Sequence, residues 1–200
     1  MNWLILIAAY LIGGIPFGYL LVRWKTGADV RTAGSGNIGA TNVHRAAGPA
    51  AGIATLALDA VKGYFAVWLM WKLSGASMGW ASASGVAVML GHVYTPFLGF
   101  KGGKGVATFL GAFLFLAPAA TAAVFVVFAA AAAMTRIVSV GSILGAITFP
   151  LAVWLIQRPD WPLMAASVAC CALVLYRHLE NAGRIHAGTE RVFTWGGRRG

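Results

Sequence analysis

Apolar residues fill this chain in seven stretches with little between them, at about residues 2 to 22, 53 to 71, 81 to 98, 106 to 117, 119 to 134, 138 to 156 and 161 to 176. Hydrocarbon offers no partner to a backbone N–H or C=O, so stretches of this kind are predicted to close their hydrogen bonds internally, as helices. With 60% of residues apolar and 10% charged, the expectation is an all-α integral membrane protein, one polytopic unit over 1–200. No room is left for a soluble catalytic domain. The first stretch carries no Lys or Arg ahead of it, in Met1-Asn2-Trp3-Leu4, and runs across Pro16 to Val22. It therefore reads as a transmembrane helix and not as a cleaved leader.

Residues 106 to 134 admit two readings, one helix kinked at Pro118 or two short helices turning there. Charge decides between them. With two helices and a cytoplasmic C-terminus, only Lys72 and Arg158 face outward among 15 Lys and Arg residues. With one, Arg136, Arg177, Arg184, Arg191, Arg198 and Arg199 would lie across the membrane from Arg23, Lys25, Arg31, Arg45, Lys101 and Lys104. The positive-inside rule selects seven transmembrane helices, N-terminus outside and C-terminus cytoplasmic. The net charge of +10 then reflects topology beside an anionic inner leaflet of membrane lipid, and no nucleic-acid partner is implied. Every polar cluster converges on the cytoplasmic face, where a site must be built from glycine-rich loops and helix ends.

The first loop holds Gly34-Ser35-Gly36-Asn37-Ile38-Gly39-Ala40-Thr41-Asn42, followed by Arg45. Hydroxyls and amides around three glycines, with a guanidinium fork behind them, suit an anion. Its glycines also match G-x-G-x-x-G, with Asp59 at the distance of a ribose contact. That motif needs a preceding strand and a βαβ unit, whereas an apolar span follows here, so the dinucleotide reading is rejected. A plain flexible connector is the other alternative. The second loop, Phe100-Lys101-Gly102-Gly103-Lys104-Gly105, leads into a span and can present free N–H groups at a helix N-terminus, where dipole and lysines favour an anion. It lacks Walker A spacing, and two lysines at a boundary can also serve only as a stop-transfer signal.

Two further segments stand at helix ends. Ser139 and Ser142 in Arg136-Ile137-Val138-Ser139-Val140-Gly141-Ser142 can cap or back-bond a helix, or face a ligand. His178, beside Arg177, Glu180 and Asn181, is an interfacial hydrogen-bonder or a base. Arg177, Arg184 and Arg191 recur every seven residues and can snorkel to headgroups. Asp59 and Lys62, three apart on a helix, are expected to pair, because an unpaired charge at that depth is costly. His92 and Tyr94, ahead of Pro96, are placed to brace the Lys101 loop with ring and hydroxyl. Cys170 and Cys171 point about 100° apart on a helix and read as small core residues. No metal or cofactor is implied.

Three of these segments together, from Gly34 to Arg45, from Gly91-His92 to Thr108, and from Tyr176-Arg177-His178 through Asn181 and Glu190, resemble the bacterial acyl-phosphate-dependent glycerol-3-phosphate acyltransferases over nearly the whole chain. The resemblance implies a seven-helix enzyme of the bacterial cytoplasmic (inner) membrane. Such an enzyme moves a fatty acyl group from acyl phosphate to the 1-hydroxyl of glycerol 3-phosphate, giving lysophosphatidic acid and inorganic phosphate, the first step of phospholipid synthesis. Its implied partners are those two substrates, membrane lipid and a soluble enzyme producing acyl phosphate. Carried over by position, it places Ser35, Gly36, Asn37, Thr41, Asn42 and Arg45 around substrate phosphate. Lys101, Gly102, Gly103 and Lys104 form a second wall, with Ser142, His178 and Asn181 in the same pocket. His178, Lys104, Arg45 and Ser35 are the expected catalytic residues. Departures are Pro96 shifted by Thr95, His186 at a commonly aliphatic position, and an unmatched tail from Phe193 to Gly200.

An acyl phosphate is a mixed anhydride with a stable leaving anion, so orientation and charge neutralisation suffice in principle. The nucleophile's proton has three candidate acceptors, His178, Glu180 or an oxygen of the acyl phosphate. The last is favoured for a chain without a Ser-His-Asp arrangement, and it implies direct transfer with no acyl-enzyme. The acyl chain is expected between helices, beside Phe113-Leu114-Phe115-Leu116 and the small residues from Ala119 to Ala133. The competing expectation is a phosphate-ester transporter or channel. That class ordinarily shows internal repeats and mid-bilayer polar groups, which this sequence lacks.

Overall fold

The computed structural model describes residues 1–193; Arg198 and Arg199 of the charge argument lie outside the described residues. The described residues are helical throughout their ordered elements: α1 Asn2–Gly14, α2 Phe17–Thr26, α3 Ala40–Ala47, α4 Pro49–Leu73, α5 Met78–Val93, α6 Val106–Leu116, α7 Pro118–Thr135, α8 Val138–Gln157, α9 Trp161–Arg177 and α10 Leu179–His186. Among the described residues four spans are long and apolar enough to cross a membrane: Asn2–Thr26 (α1 and α2 together), α4, α7 and α8; α9, bent by 52° against α10, reaches that length only when the two are counted as one span. The fold is thus that of a multi-pass, all-helical membrane protein. The 16 residues of α5 and 11 of α6 reach only about 24 and 16 Å at ~1.5 Å per residue.

Each apolar stretch of the sequence holds one helix or one broken helix, and the ends differ for local reasons. Residues 106 to 134 form two helices, parted at Ala117 (φ −147°, ψ 61°), with Pro118 opening α7. Helix α5 stops at Val93, short of 98, because Pro96 has no N–H to continue it; Thr95 accepts from the Phe97 N–H and a 3-10 turn follows at Pro96–Leu98. Helix α4 starts at Pro49 rather than 53, behind Gly48 at φ +88°. Pro16 likewise breaks the first span between α1 and α2, and the freed Ile15 carbonyl accepts a hydrogen bond from Lys62 Nζ at 2.8 Å.

Small residues let the helices cross backbone to backbone. A Cβ on Gly63 would strike the Thr108 carbonyl and one on Gly111 the Ala60 carbonyl, which draws α6 flat against α4. Gly13 on Val88 and Gly91 on Tyr10 do the same for α1 and α5. Helices α7 and α8 form another tight pair, and α9 packs on α5 and α8. Phe109, Phe113 and Phe149 interlock at the centre, with ring centroids 4.5 to 4.9 Å apart. Cys170 and Cys171 are buried, unpaired members of that core.

Candidate active site

The first glycine-rich loop is wound around one buried amide. Asn42 Oδ1 accepts the Ser35 N–H at 2.8 Å, while its Nδ2 donates to the carbonyls of Val30, Ala33 and Asn37 at 3.2, 3.0 and 2.9 Å. A Cβ on Gly34, at φ +56°, would run into that same Oδ1, so the loop closes tightly only because glycine stands there. Asn37 Oδ1 accepts the Gly39 N–H at 2.8 Å, an Asx turn that starts α3. The loop is therefore built, not slack, and it presents Ser35, Asn37, Thr41 and Arg45 on one side.

The second loop hangs from α5 by its backbone. Gly102 N–H donates to the Val93 carbonyl at 3.0 Å and Gly103 N–H to the His92 carbonyl at 3.1 Å. Arg177 then holds their carbonyls, Nε to Gly103 at 3.3 Å and a terminal nitrogen to Gly102 at 3.4 Å. A Cβ on Gly103 would collide with the His92 ring. His92 thus braces the loop with ring and carbonyl, as expected in part; the Tyr94 carbonyl instead accepts from the Tyr10 hydroxyl at 2.6 Å. Behind His92, Asp59 Oδ1 lies 2.7 Å from Lys62 Nζ and 3.8 Å from His92 Nδ1, all three buried. The expected ion pair exists, and it anchors α1, α4 and α5 at one point.

The third component is the corner between α9 and α10 with the segment after it. His178 Nδ1 lies 2.8 Å from the Val174 carbonyl. A carbonyl only accepts, so the proton sits on Nδ1 and a neutral ring keeps its lone pair on Nε2. Lys104 Nζ donates to Asn181 Oδ1. Asn181 Nδ2 donates to Glu190 Oε1 at 2.5 Å, which also accepts from Ser139 Oγ at 2.9 Å, while Arg184 Nε donates to Glu190 Oε2 at 2.7 Å. Glu190 and Ser139 were not among the sequence-derived site residues, although Glu190 lies in a segment that carries the resemblance.

These three components enclose a cleft of about 170 Å³ lined by Ser35, Asn37, Thr41, Asn42, Arg45, Lys104, Ser142, His178 and Asn181, with Asp59, His92, Arg184, Glu190 and Arg191 added. Gly36, Lys101, Gly102 and Gly103 are not on its wall. The two glycine amides proposed for an anion are spent on α5, and Asn42 has all its bonds inside its own loop. Ser142 Oγ back-bonds to the Val138 carbonyl at 3.1 Å. Glu180 is 90% exposed and stands off the cleft. Arg177 and Arg184 do not snorkel; they clamp a loop and a carboxylate. The N-terminal residues of α3, α6 and α8 all line the cleft, and none of the three helices has a side-chain cap, so their dipoles add to the cations.

Electrostatics follow from burial. Burial brings the Lys104 ammonium down to about 8 against the pull of Glu190. It brings His178 to about 4, despite the Val174 bond that favours the charged ring. Arg45 is lowered by burial and by Arg191 nearby. Burial also pushes Glu190 up, but its hydrogen bonds from Arg184, Asn181 and Ser139 win and hold it below the usual carboxylate value.

Beyond the cleft, sharing Thr41, Leu56, Val106, Phe128 and Ser142 with it, opens a much larger apolar groove of about 930 Å³ between α4, α6, α7 and α8. Cations and helix N-termini at one end of a hydrocarbon-lined trough accommodate a molecule with an anionic head and a long apolar tail.

The family model described as glycerol-3-phosphate acyltransferase matches residues 3–188. The glycerol-3-phosphate acyltransferase of Geobacter sulfurreducens is 47% identical over 194 residues, covering 96% of this chain and 98% of its own. That of Geobacter metallireducens is 50% identical over 191 residues, covering 95% and 96%. A crystal structure of PlsY, an integral membrane glycerol 3-phosphate acyltransferase in its glycerol 3-phosphate form, superposes with a TM-score of 0.91 at 37% identity, covering 96% of both chains. The lysophosphatidic acid form gives a TM-score of 0.87 at 35% identity, covering 97% of this chain and 96% of that one.

Proposed function

The chain belongs to the glycerol-3-phosphate acyltransferase family, and on that premise we propose that it joins the 1-hydroxyl of glycerol 3-phosphate to a fatty acyl group taken from acyl phosphate. The single observation that carries this reading is the continuity of a cationic cleft with an apolar groove. Lysophosphatidic acid, the named ligand of one structural relative, has the matching division into phosphate head and acyl tail. The reading includes one polytopic domain of seven spans in the bacterial inner membrane, N-terminus outside, with the cleft on the cytoplasmic side. The soluble enzyme that makes acyl phosphate is its expected supplier.

In the reaction the acyl chain lies in the groove and its carbonyl carbon stands at the junction beside Thr41 and Ser142. Arg45, Lys104 and the three helix N-termini neutralise the substrate phosphates, and Ser35 and Asn37 hydrogen-bond to them, holding two anions side by side that would otherwise repel. The glycerol hydroxyl oxygen attacks the carbonyl carbon, the bond from that carbon to the bridging phosphate oxygen breaks, and the hydroxyl proton ends on the departing phosphate. His178 offers Nε2 as a hydrogen-bond acceptor that aims the hydroxyl. A ring held at about 4 is a poor final home for a proton, whereas the departing phosphate, whose leaving oxygen gains negative charge as the carbon–oxygen bond breaks, is a better one. This supports substrate-assisted transfer over a histidine base.

The test is release of inorganic phosphate from acyl phosphate by the detergent-solubilised protein. Release that requires glycerol 3-phosphate, with lysophosphatidic acid formed in equal amount, is the expected result, and Arg45→Ala is expected to lower kcat/KM by about 100- to 1,000-fold. Consumption of neither substrate would overturn the reading.

A further inference from the structure

Along α8 the groove-lining residues run from Val138 and Ser142, shared with the cleft, through Gly145 and Ala146 to Phe149. At ~1.5 Å per residue that is about 16 Å from Val138 and about 10 Å from Ser142. On α8 the lining ends at Phe149. Phe149 has no exposed surface and meets Phe109 at 4.7 Å and Phe113 at 4.9 Å; Phe113 and Val153 beneath are also wholly buried. The flank is open, since groove-lining Ile53 and Leu56 of α4 and Phe125 of α7 are 60%, 46% and 50% exposed. The trough therefore has a hard floor and a lateral mouth toward lipid.

We infer that Phe149, backed by Phe109 and Phe113, determines acyl chain length by fixing how many carbons lie straight before the tail must turn out between α4 and α7. The inference rests on the reading that the acyl group occupies this groove. An extended chain advances about 1.3 Å per carbon, the zigzag projection of a ~1.5 Å carbon–carbon bond, so the floor stops a chain after roughly eight to twelve carbons. Hydrocarbon surrounds the protein in any case, so burial from water does not discriminate. Packing does: a tail that meets the floor fills the trough at interior density, a shorter one leaves a void, and a longer one must bend into the mouth.

The experiment compares kcat/KM for dodecanoyl and hexadecanoyl phosphate, with glycerol 3-phosphate, using the purified full chain in detergent. Phe149→Ala deepens the trough and is expected to raise the hexadecanoyl-to-dodecanoyl ratio on the order of tenfold, the low end of what one methylene does in a closed pocket. Gly145→Leu is expected to lower it, because a Cβ there would sit 3.5 Å from Val124 Cγ1, within the trough. Phe149→Leu, with a smaller void, serves if the alanine variant does not fold. Unchanged ratios in the variants that turn over overturn the chain-length role. Absence of turnover by the unsubstituted protein with every acyl phosphate would instead overturn the donor assignment, so the two failures are distinguishable.

Discussion

Lys104 is the residue on which the electrostatics of the cleft turn. Burial leaves its ammonium with a pKa of about 8, so the cation is present below that pH and is lost as pH rises through it. Acyl transfer that depends on the charge should therefore hold steady at neutral pH and decline above about 8, read as kcat/KM of the free enzyme. In Lys104→Arg, whose guanidinium stays protonated, the alkaline decline should move up by more than one pH unit even though the different fork geometry lowers turnover. An unmoved decline would assign it to another group. His178, at about 4, is neutral throughout, so it contributes no inflection near 6.5. Asn42 teaches the complementary lesson: an amide among apparent ligands turns out to hold its own loop together, with Ser35, Val30, Ala33 and Asn37 as partners.

Among the helices, the crossing of α4 and α6 sets where Lys104 stands, because α6 begins one residue after Gly105 caps it. Gly111→Leu would drive its side chain into the Ala60 carbonyl and part the two helices. A loss of at least about 1–3 kcal/mol is expected in detergent unfolding, as for other overpacked cores. Gly183→Ala in α10, with nothing within 4 Å of its Cβ position, should stabilise by about 0.4–1 kcal/mol through the unfolded chain. Equal midpoints for the two variants would refute the close-crossing account. Helix ends were the least legible elements in the sequence. Short α3 was hidden in a loop because its eight residues carry no apolar periodicity long enough to see, and α5 ended early for want of an N–H at Pro96.

For the whole molecule, the proposed topology makes Thr32 and Ala187 cytoplasmic and Lys72 external. Thr32→Cys and Ala187→Cys are expected to react with a membrane-impermeant thiol reagent only from inside, and Lys72→Cys only from outside, the native Cys170 and Cys171 being buried. Labelling of Thr32→Cys and Ala187→Cys from opposite sides would dismantle the shared site. By itself the sequence determined the class, the seven apolar stretches, the two glycine-rich loops and the family they resemble. Those are consequences of composition and short-range spacing, which the solvent and the backbone read locally. Only the tertiary structure decided that Glu190 binds Ser139, Asn181 and Arg184, that Gly102 and Gly103 spend their amides on α5 while Lys104 reaches Asn181, and that three helix N-termini share one cleft beside an apolar groove. Lys104 and Asn181 stand 77 residues apart in the chain and Ser139 and Glu190 stand 51 apart, and a hydrogen bond or a cavity wall exists only where packing brings both sides together.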